Sequence, residues 1–209
     1  MEYKQKNGSI VPIFPTPVGS YNFDAKIKSE VLNFVKNDLT YTINGSNKSS
    51  VESDLLNFSV MKEIKEFCEA SLKEYTDTVY DQGEDATFYI TQSWANMTEP
   101  NEFHHKHLHP NSIVSGVMYL ETNDDDKIQF LADTEIYKKI TLDSKSFNDF
   151  NISFRWFHAW TGKLYLFPST LMHDVPRTSA ESKERISISF NTYVKGRIGN
   201  NVNKTETYI

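Results

Sequence analysis

Residues 9–22 mix apolar positions with three prolines, which excludes a helix and predicts an extended chain. Residues 25–39 place Ile27, Val31, Phe34 and Val35 at the i, i+4, i+7, i+8 spacing of an amphipathic helix, with Asp24 as its cap. Residues 40–50, Thr-Tyr-Thr-Ile-Asn-Gly-Ser-Asn-Lys-Ser-Ser, read as a polar turn region. A second helix is predicted over about 58–80, with Val60, Ile64, Phe67, Cys68, Leu72, Tyr75 and Val79 on one face. After Asp81-Gln82-Gly83 the helical period disappears. Short strands with turn signals follow near 86–97, 111–121, 127–132, 152–160, 163–167, 172–175 and 184–195. Residues 121–127 form an acidic turn, 141–151 a polar loop, and the chain from Gly199 a loose polar tail. Helices first and many strands afterwards predict a helical layer packed on an antiparallel jelly roll or barrel. The expected class is α+β. A single domain covers 1–198, helical over about 1–83 with its jelly-roll core over about 84–198, and 199–209 is the tail.

Composition narrows the functional classes. The 209 residues fit one domain, and 14 Phe, 11 Tyr and 3 Trp supply a real core rich in strand-forming residues. A net charge of −6 with no basic run disfavours a nucleic-acid binder that works through a basic face. The single cysteine, Cys68, cannot form an internal disulfide and lies on the apolar face of the second helix. The opening Met1-Glu2-Tyr3-Lys4-Gln5-Lys6 lacks the apolar core of a signal peptide, and no stretch approaches the roughly 18 apolar residues of a membrane span. These features point to a soluble protein of a reducing cytoplasm.

The chemistry concentrates in the histidines. His104, His105, His107 and His109 fall within six residues, and His173 ends a distant predicted strand. On a strand, residues i and i+2 share a face. His107 with His109 could therefore offer two imidazoles to one metal ion, and so could His105 with His107; spacing leaves the register open. Two ligands on one strand and a third on a far strand of a jelly roll is a common way to hold non-haem iron with open positions. A patch of surface histidines with incidental metal affinity has the same spacing. His158, between aromatic residues on a strand, reads as a packed histidine outside the site.

Twelve residues beyond His173, Arg185-Ile186-Ser187-Ile188-Ser189-Phe190-Asn191 alternates strictly. Arg185, Ser187 and Ser189 share one face; Ile186, Ile188 and Phe190 share the other. A guanidinium and a hydroxyl two residues apart form a natural carboxylate clamp. An edge-strand arginine facing solvent is the alternative.

Several segments in order now carry a family resemblance: Phe14-Pro15-Thr16-Pro17-Val18, Trp94-Ala95-Asn96, and His107-Leu108-His109-Pro110-Asn111-Ser112. They continue with Ser115-Gly116-Val117-Met118-Tyr119-Leu120, Gly162 to Ser169 leading to His173, and Arg185 to Asn191. The chain resembles the 2-oxoglutarate- and Fe(II)-dependent oxygenases of a small family from marine bacteria and phages of cyanobacteria, with a double-stranded β-helix (jelly roll, cupin-like) core. The resemblance implies a dioxygenase using Fe(II), 2-oxoglutarate and O2, with release of succinate and CO2. It implies His107 and His173 as metal ligands, and Arg185 with Ser187 as the clamp for the distal carboxylate of 2-oxoglutarate. Asn96 and Tyr119 fall where further polar contacts to that cosubstrate arise. The wider superfamily has a carboxylate where this chain has His109, so the expected ligand set is three imidazoles, with Glu102 or a water as the alternative third position. The implied substrate is an unidentified small molecule or a protein side chain such as a prolyl group, in the cytoplasm of a bacterium or a phage-infected cell; a homodimer is left open.

Two other classes compete. A cupin-type metal enzyme that does not use 2-oxoglutarate also pairs His-x-His with a distant His, but the usual Glu after His-x-His is replaced by Pro110-Asn111-Ser112-Ile113. The Arg185-x-Ser187 pair separates the two. A non-catalytic jelly roll, such as a phage structural or carbohydrate-binding module, would carry only an incidental metal and show no Fe(II)-dependent binding of 2-oxoglutarate.

Overall fold

The computed structural model describes residues 3–5, 7–132 and 143–209. The first two residues of the polar loop expected at 141–151 lie outside the described residues. Two short strands, β1 (Tyr3–Gln5) and β2 (Gly8–Ile10), pair with each other, and β3 (Gly19–Asn22) follows the proline-broken stretch.

The first helix is shorter than expected. Helix α1 spans Ser29–Asn33 and runs into a π-helical turn over Phe34–Asp38. Lys28 is its N-cap, and no side chain caps it, so Asp24 lies outside the helix. The apolar stripe survives, since Ile27, Val31 and Val35 are buried. Two 3-10 turns, Leu55–Asn57 and Ser59–Met61, lead into α2 (Lys62–Val79), which buries Ile64, Cys68, Leu72 and Tyr75. Burial pushes the Cys68 thiol well above its ordinary value, so it is an inert core group.

The polar stretch 40–50 is a hairpin, not only a turn: β4 (Tyr41–Asn44) and β5 (Asn47–Ser50) are joined through Gly45-Ser46. Gly45 has φ +69°, which the Asn-Gly pair supplies without strain. The usual alternation is hidden because the hairpin's inward groups are polar and Ile43 faces solvent.

The remaining strands are β6 (Ala86–Thr98), β7 (His104–His107), β8 (Val114–Glu121), β9 (Lys127–Leu131) and β10 (Phe154–His158). Then come β11 (Lys163–Pro168), β12 (His173–Val175), β13 (Arg185–Ile198) and β14 (Thr207–Tyr208). The large sheet runs β3-β11-β8-β13-β6-β5-β4, and a smaller sheet runs β10-β9-β12-β7. This is the expected α+β jelly roll with helices on one side. The tail is not loose: β14 pairs with the end of β13, and Arg197 bridges to both Asp85 and Glu206. Among the described residues, no helix is long and apolar enough to cross a membrane.

Two cores follow from strand alternation. Val114, Met118 and Leu120 of β8, Leu164 and Leu166 of β11, and Ile186, Ile188 and Phe190 of β13 pack under α1 and α2. The opposite faces carry Val117, Tyr119, Tyr165 and Phe167, which meet Ile128 and Phe130 of the small sheet. Gly116 lets β8 and β13 approach: a Cβ there would lie 2.2 Å from the Phe190 ring. Gly116→Ala is expected to cost about 1–3 kcal/mol through overpacking. Urea unfolding measures it, and an unchanged midpoint would contradict this packing.

Candidate active site

Between the two sheets lies a narrow, cleft-like cavity that opens to solvent. Its lining includes His107, His109, His173, Arg185, Ser187, Asn96 and Tyr119, so the structure brings all the sequence-derived candidates to one place. His158 is exposed on the outer face, edge-on to Trp156, rather than packed.

His107 and His173 face each other as cross-strand partners of β7 and β12. Strand β7 stops at His107; His109 lies just beyond, its backbone N–H donating to the Ser169 carbonyl. Leu108 between them is exposed, so the His-Leu-His alternation still turns both imidazoles inward. One ring nitrogen from each of the three histidines falls within 4.8 Å of the others. His109 and His173 are stacked at 5.1 Å with an interplanar angle of 2°, and their Nε2 atoms are 3.3 Å apart.

The outer hydrogen bonds decide what this cluster can hold. His107 Nδ1 is 2.7 Å from the His105 carbonyl, and His173 Nδ1 is 2.9 Å from the Leu171 carbonyl. A carbonyl only accepts, so both protons sit on Nδ1 and both Nε2 atoms carry lone pairs. His109 is held from outside by the Asn191 side chain. The His173 Nε2 lone pair facing His109 Nε2 across 3.3 Å is satisfied either by a proton on His109 Nε2 or by a cation bound between the two nitrogens. This is the arrangement of a metal shell supported by outer partners. The donor set therefore fits a divalent transition metal, with imidazole ligands that suit iron, zinc or nickel alike.

A second group, His104, His105 and His107, also clusters. It shares His107, its His105 is exposed, and His104 Nε2 is already 3.3 Å from Asn44 Nδ2. The first group is the better centre. Glu102, the alternative third ligand, instead accepts from the Glu99 backbone N–H and closes a turn. Among the described residues, both candidate groups are wholly imidazole.

Burial keeps these rings neutral. It lowers His109 to about 4 and His173 to about 3, with His107 adding to both, and it also lowers His107. Neutral imidazole is the ligating form, so protons compete little for the site near neutrality. The sign for stability is clear. Above pH 6.5 folded and unfolded rings are both neutral. Below it the unfolded chain takes up protons that the folded one refuses, at up to about 1.4 kcal/mol per group and pH unit. The metal-free protein is expected to lose melting temperature steadily from pH 6.5 to 4; a flat profile would contradict buried neutral rings.

Arg185 does not wait unpaired. Its Nη1 donates to Asp126 Oδ1 at 2.7 Å, with side chains only 4% and 3% exposed. Asp126 Oδ2 accepts from the backbone N–H and the amide of Asn123. A register shift between β13 and β8 at Ile186/Ser187 accompanies this geometry, as bulges beside sites often do. Asp126 was invisible in the sequence because it sits in a run of three aspartates that reads as a solvated turn. The rest of the Arg185 fork lines the cavity.

The neighbouring polar groups fit an anionic guest. The Tyr119 hydroxyl is fully buried and has no hydrogen-bond partner among the described residues. Such a group costs about 1–3 kcal/mol unless something satisfies it. Burial raises its pKa, so it stays a donor. Asn96 uses Oδ1 to accept from Ser49 and Nδ2 to donate to Ser189, leaving one lone pair and one hydrogen. A carboxylate bound here would meet Arg185, Ser187 and Tyr119 together.

Comparisons with known proteins bear on the fold and on the segment that carries these residues. Residues 92–191 match the family model described as "Putative 2OG-Fe(II) oxygenase". No curated protein matches the chain in sequence. Solved structures share the fold. A 2OG-Fe(II) oxygenase family oxidoreductase from Burkholderia pseudomallei is 14% identical, with a TM-score of 0.55 over 83% of this chain and 84% of the other. A Pseudomonas putida prolyl-4-hydroxylase is 12% identical, with a TM-score of 0.54 over 84% and 92%. HygX from Streptomyces hygroscopicus, with nickel and 2-oxoglutarate bound, is 12% identical, with a TM-score of 0.56 over 85% and 82%. Residues 92–191, which carry the imidazoles and Arg185, thus match the pattern of the 2OG-Fe(II) oxygenase family, and the chain shares its fold with solved 2OG-Fe(II) oxygenases.

Proposed function

We propose that the chain is a 2-oxoglutarate- and Fe(II)-dependent dioxygenase that hydroxylates a small molecule or a protein side chain such as a prolyl group. The observation that carries this reading is one cavity with three inward-facing neutral imidazoles at one end and the Arg185 fork with an unpartnered Tyr119 hydroxyl at the other. His107, His109 and His173 would hold the metal through Nε2. Arg185 and Ser187 would hold the distal carboxylate of 2-oxoglutarate, and Tyr119 and Asn96 would add hydrogen bonds. When bound, Fe(II) supplies the oxygen chemistry, by which one O2 converts 2-oxoglutarate to succinate and CO2 and places the second oxygen atom in a substrate C–H bond.

The protein's own part is positioning and exclusion. The Nδ1 bonds fix the ring planes, so the ligands need little reorganisation when metal arrives. Phe167, Val117 and Ile128 form the dry wall, which strengthens each charged contact inside. Similarity to a prolyl-4-hydroxylase supports a prolyl group, similarity to HygX with hygromycin B bound supports a small molecule, and the inert Cys68 accords with a cytoplasmic protein. The test is oxygen-dependent succinate release by the Fe(II)-loaded protein from 2-oxoglutarate. Succinate at several times the metal-only rate is expected, and none above that rate would contradict the proposal.

A further inference from the structure

His104 belongs to neither the metal group nor the Arg185 clamp, yet its ring lines the same cavity. It stacks on His107 at 4.4 Å with an interplanar angle of 18°. Its position along the cavity follows from register. His107 lies opposite His173, whereas His104 lies opposite Val175, farther along β12. On β9 the partner of His173 is Phe130, and moving the same way leads through Ile128 to Asp126, which holds Arg185. On the large sheet the order is the same. Ser189 lies opposite Trp94, whose ring packs on His109, while Arg185 lies opposite Thr98 at the other end. Both Thr98 and Val175 line the cavity. His104 thus stands at the arginine end, on the wall facing the large sheet.

Its proton is placed by a hydrogen-bond chain from outside the family-matched segment. Asn44, on the β4–β5 hairpin, directs Nδ2 both to Ser49 Oγ at 3.0 Å and to His104 Nε2 at 3.3 Å. Ser49 in turn donates to Asn96 Oδ1, so its oxygen must accept from Asn44. Asn44 therefore presents its NH2 end, His104 Nε2 accepts, and the ring proton sits on Nδ1.

We propose that His104 is a further cosubstrate-binding residue, whose Nδ1–H donates to the distal carboxylate of the 2-oxo acid opposite Arg185, and that Asn44 is the positioning residue that sets its tautomer. This rests on the proposed use of 2-oxoglutarate. A donor on the far wall would clamp the carboxylate between the two sheets and make the N-terminal hairpin part of cosubstrate selection.

The experiment compares two probes on Mn(II)-loaded protein by calorimetric titration. One is 2-oxoglutarate; the other is oxalate, which chelates through two oxygens but has no distal carboxylate. His104→Phe keeps the stacked ring and is expected to weaken 2-oxoglutarate at least tenfold and oxalate less than twofold. Asn44→Asp, which can only accept and so draws the proton to Nε2, is expected to weaken 2-oxoglutarate severalfold and spare oxalate. Asn44→Gln should restore most of the affinity. If His104→Phe does not fold, the Asn44 pair decides. Unchanged 2-oxoglutarate affinity in the variants, or equal loss of both probes, would overturn the role of His104 while leaving the oxygenase reading intact. A parent protein that binds oxalate but not 2-oxoglutarate would overturn both.

Discussion

Replacing Arg185 with alanine is expected to cost about 3–5 kcal/mol of stability in addition to cosubstrate binding. In the sequence, an arginine two residues from a serine shows only what it could bind. The structure shows its buried partner. Without Arg185, the Asp126 carboxylate would remain in a dry interior with Asn123 as its one remaining donor among the described residues. Asp126→Ala is expected to cost a similar amount by stranding the guanidinium. Arg185→Lys is the informative companion: it keeps a cation beside Asp126 but loses the planar fork. It should fold, with a smaller loss of stability, while 2-oxoglutarate binding falls on the order of 2–3 kcal/mol. Urea unfolding and 2-oxoglutarate titration of the three variants measure both effects. An Arg185→Ala protein as stable as the parent would show that the pair contributes nothing to the fold.

His109→Asp is expected to strengthen metal binding and weaken 2-oxoglutarate. The reason is charge. In the wider superfamily that the sequence resembles, one metal ligand is a carboxylate. Here the three proposed ligands are neutral imidazoles, and a carboxylate, Asp126, stands beside the arginine. In both arrangements a divalent metal, one arginine, one carboxylate and dianionic 2-oxoglutarate sum to zero. His109→Asp adds a second negative charge and should lower 2-oxoglutarate affinity by roughly tenfold, about 1.4 kcal/mol for one uncompensated charge in a partly solvated cavity. Adding Asp126→Asn should recover part of it. His109→Ala should bind metal more weakly than the parent, because one of three ligands is gone. Metal titration followed by 2-oxoglutarate titration separates these. Metal affinity unchanged in both His109 variants would place His109 outside the ligand shell.

The long strand β13 was legible because its alternation is strong, with apolar residues under the helices and polar ones towards the cavity. The site candidates were legible for the same reason: Arg185 and Ser187 fall on the polar side of a strictly alternating strand. The β4–β5 hairpin was missed because its inward residues bond to Asn96 and His104 rather than filling a greasy core. Asp126 was missed because one buried carboxylate in Asp124-Asp125-Asp126 looks like its exposed neighbours. His104 was missed because its role depends on a hydrogen bond from a residue sixty positions earlier.

The central claim is that one cavity holds Fe(II) on three imidazoles and 2-oxoglutarate on that metal and Arg185. Anaerobic titration of the Fe(II)-loaded protein with 2-oxoglutarate, followed in the visible region, tests it most directly. The account predicts a saturable charge-transfer band in the parent, lost in His173→Ala and strongly weakened in Arg185→Lys. No band in a folded, iron-loaded parent, or an equal band in both variants, would contradict it.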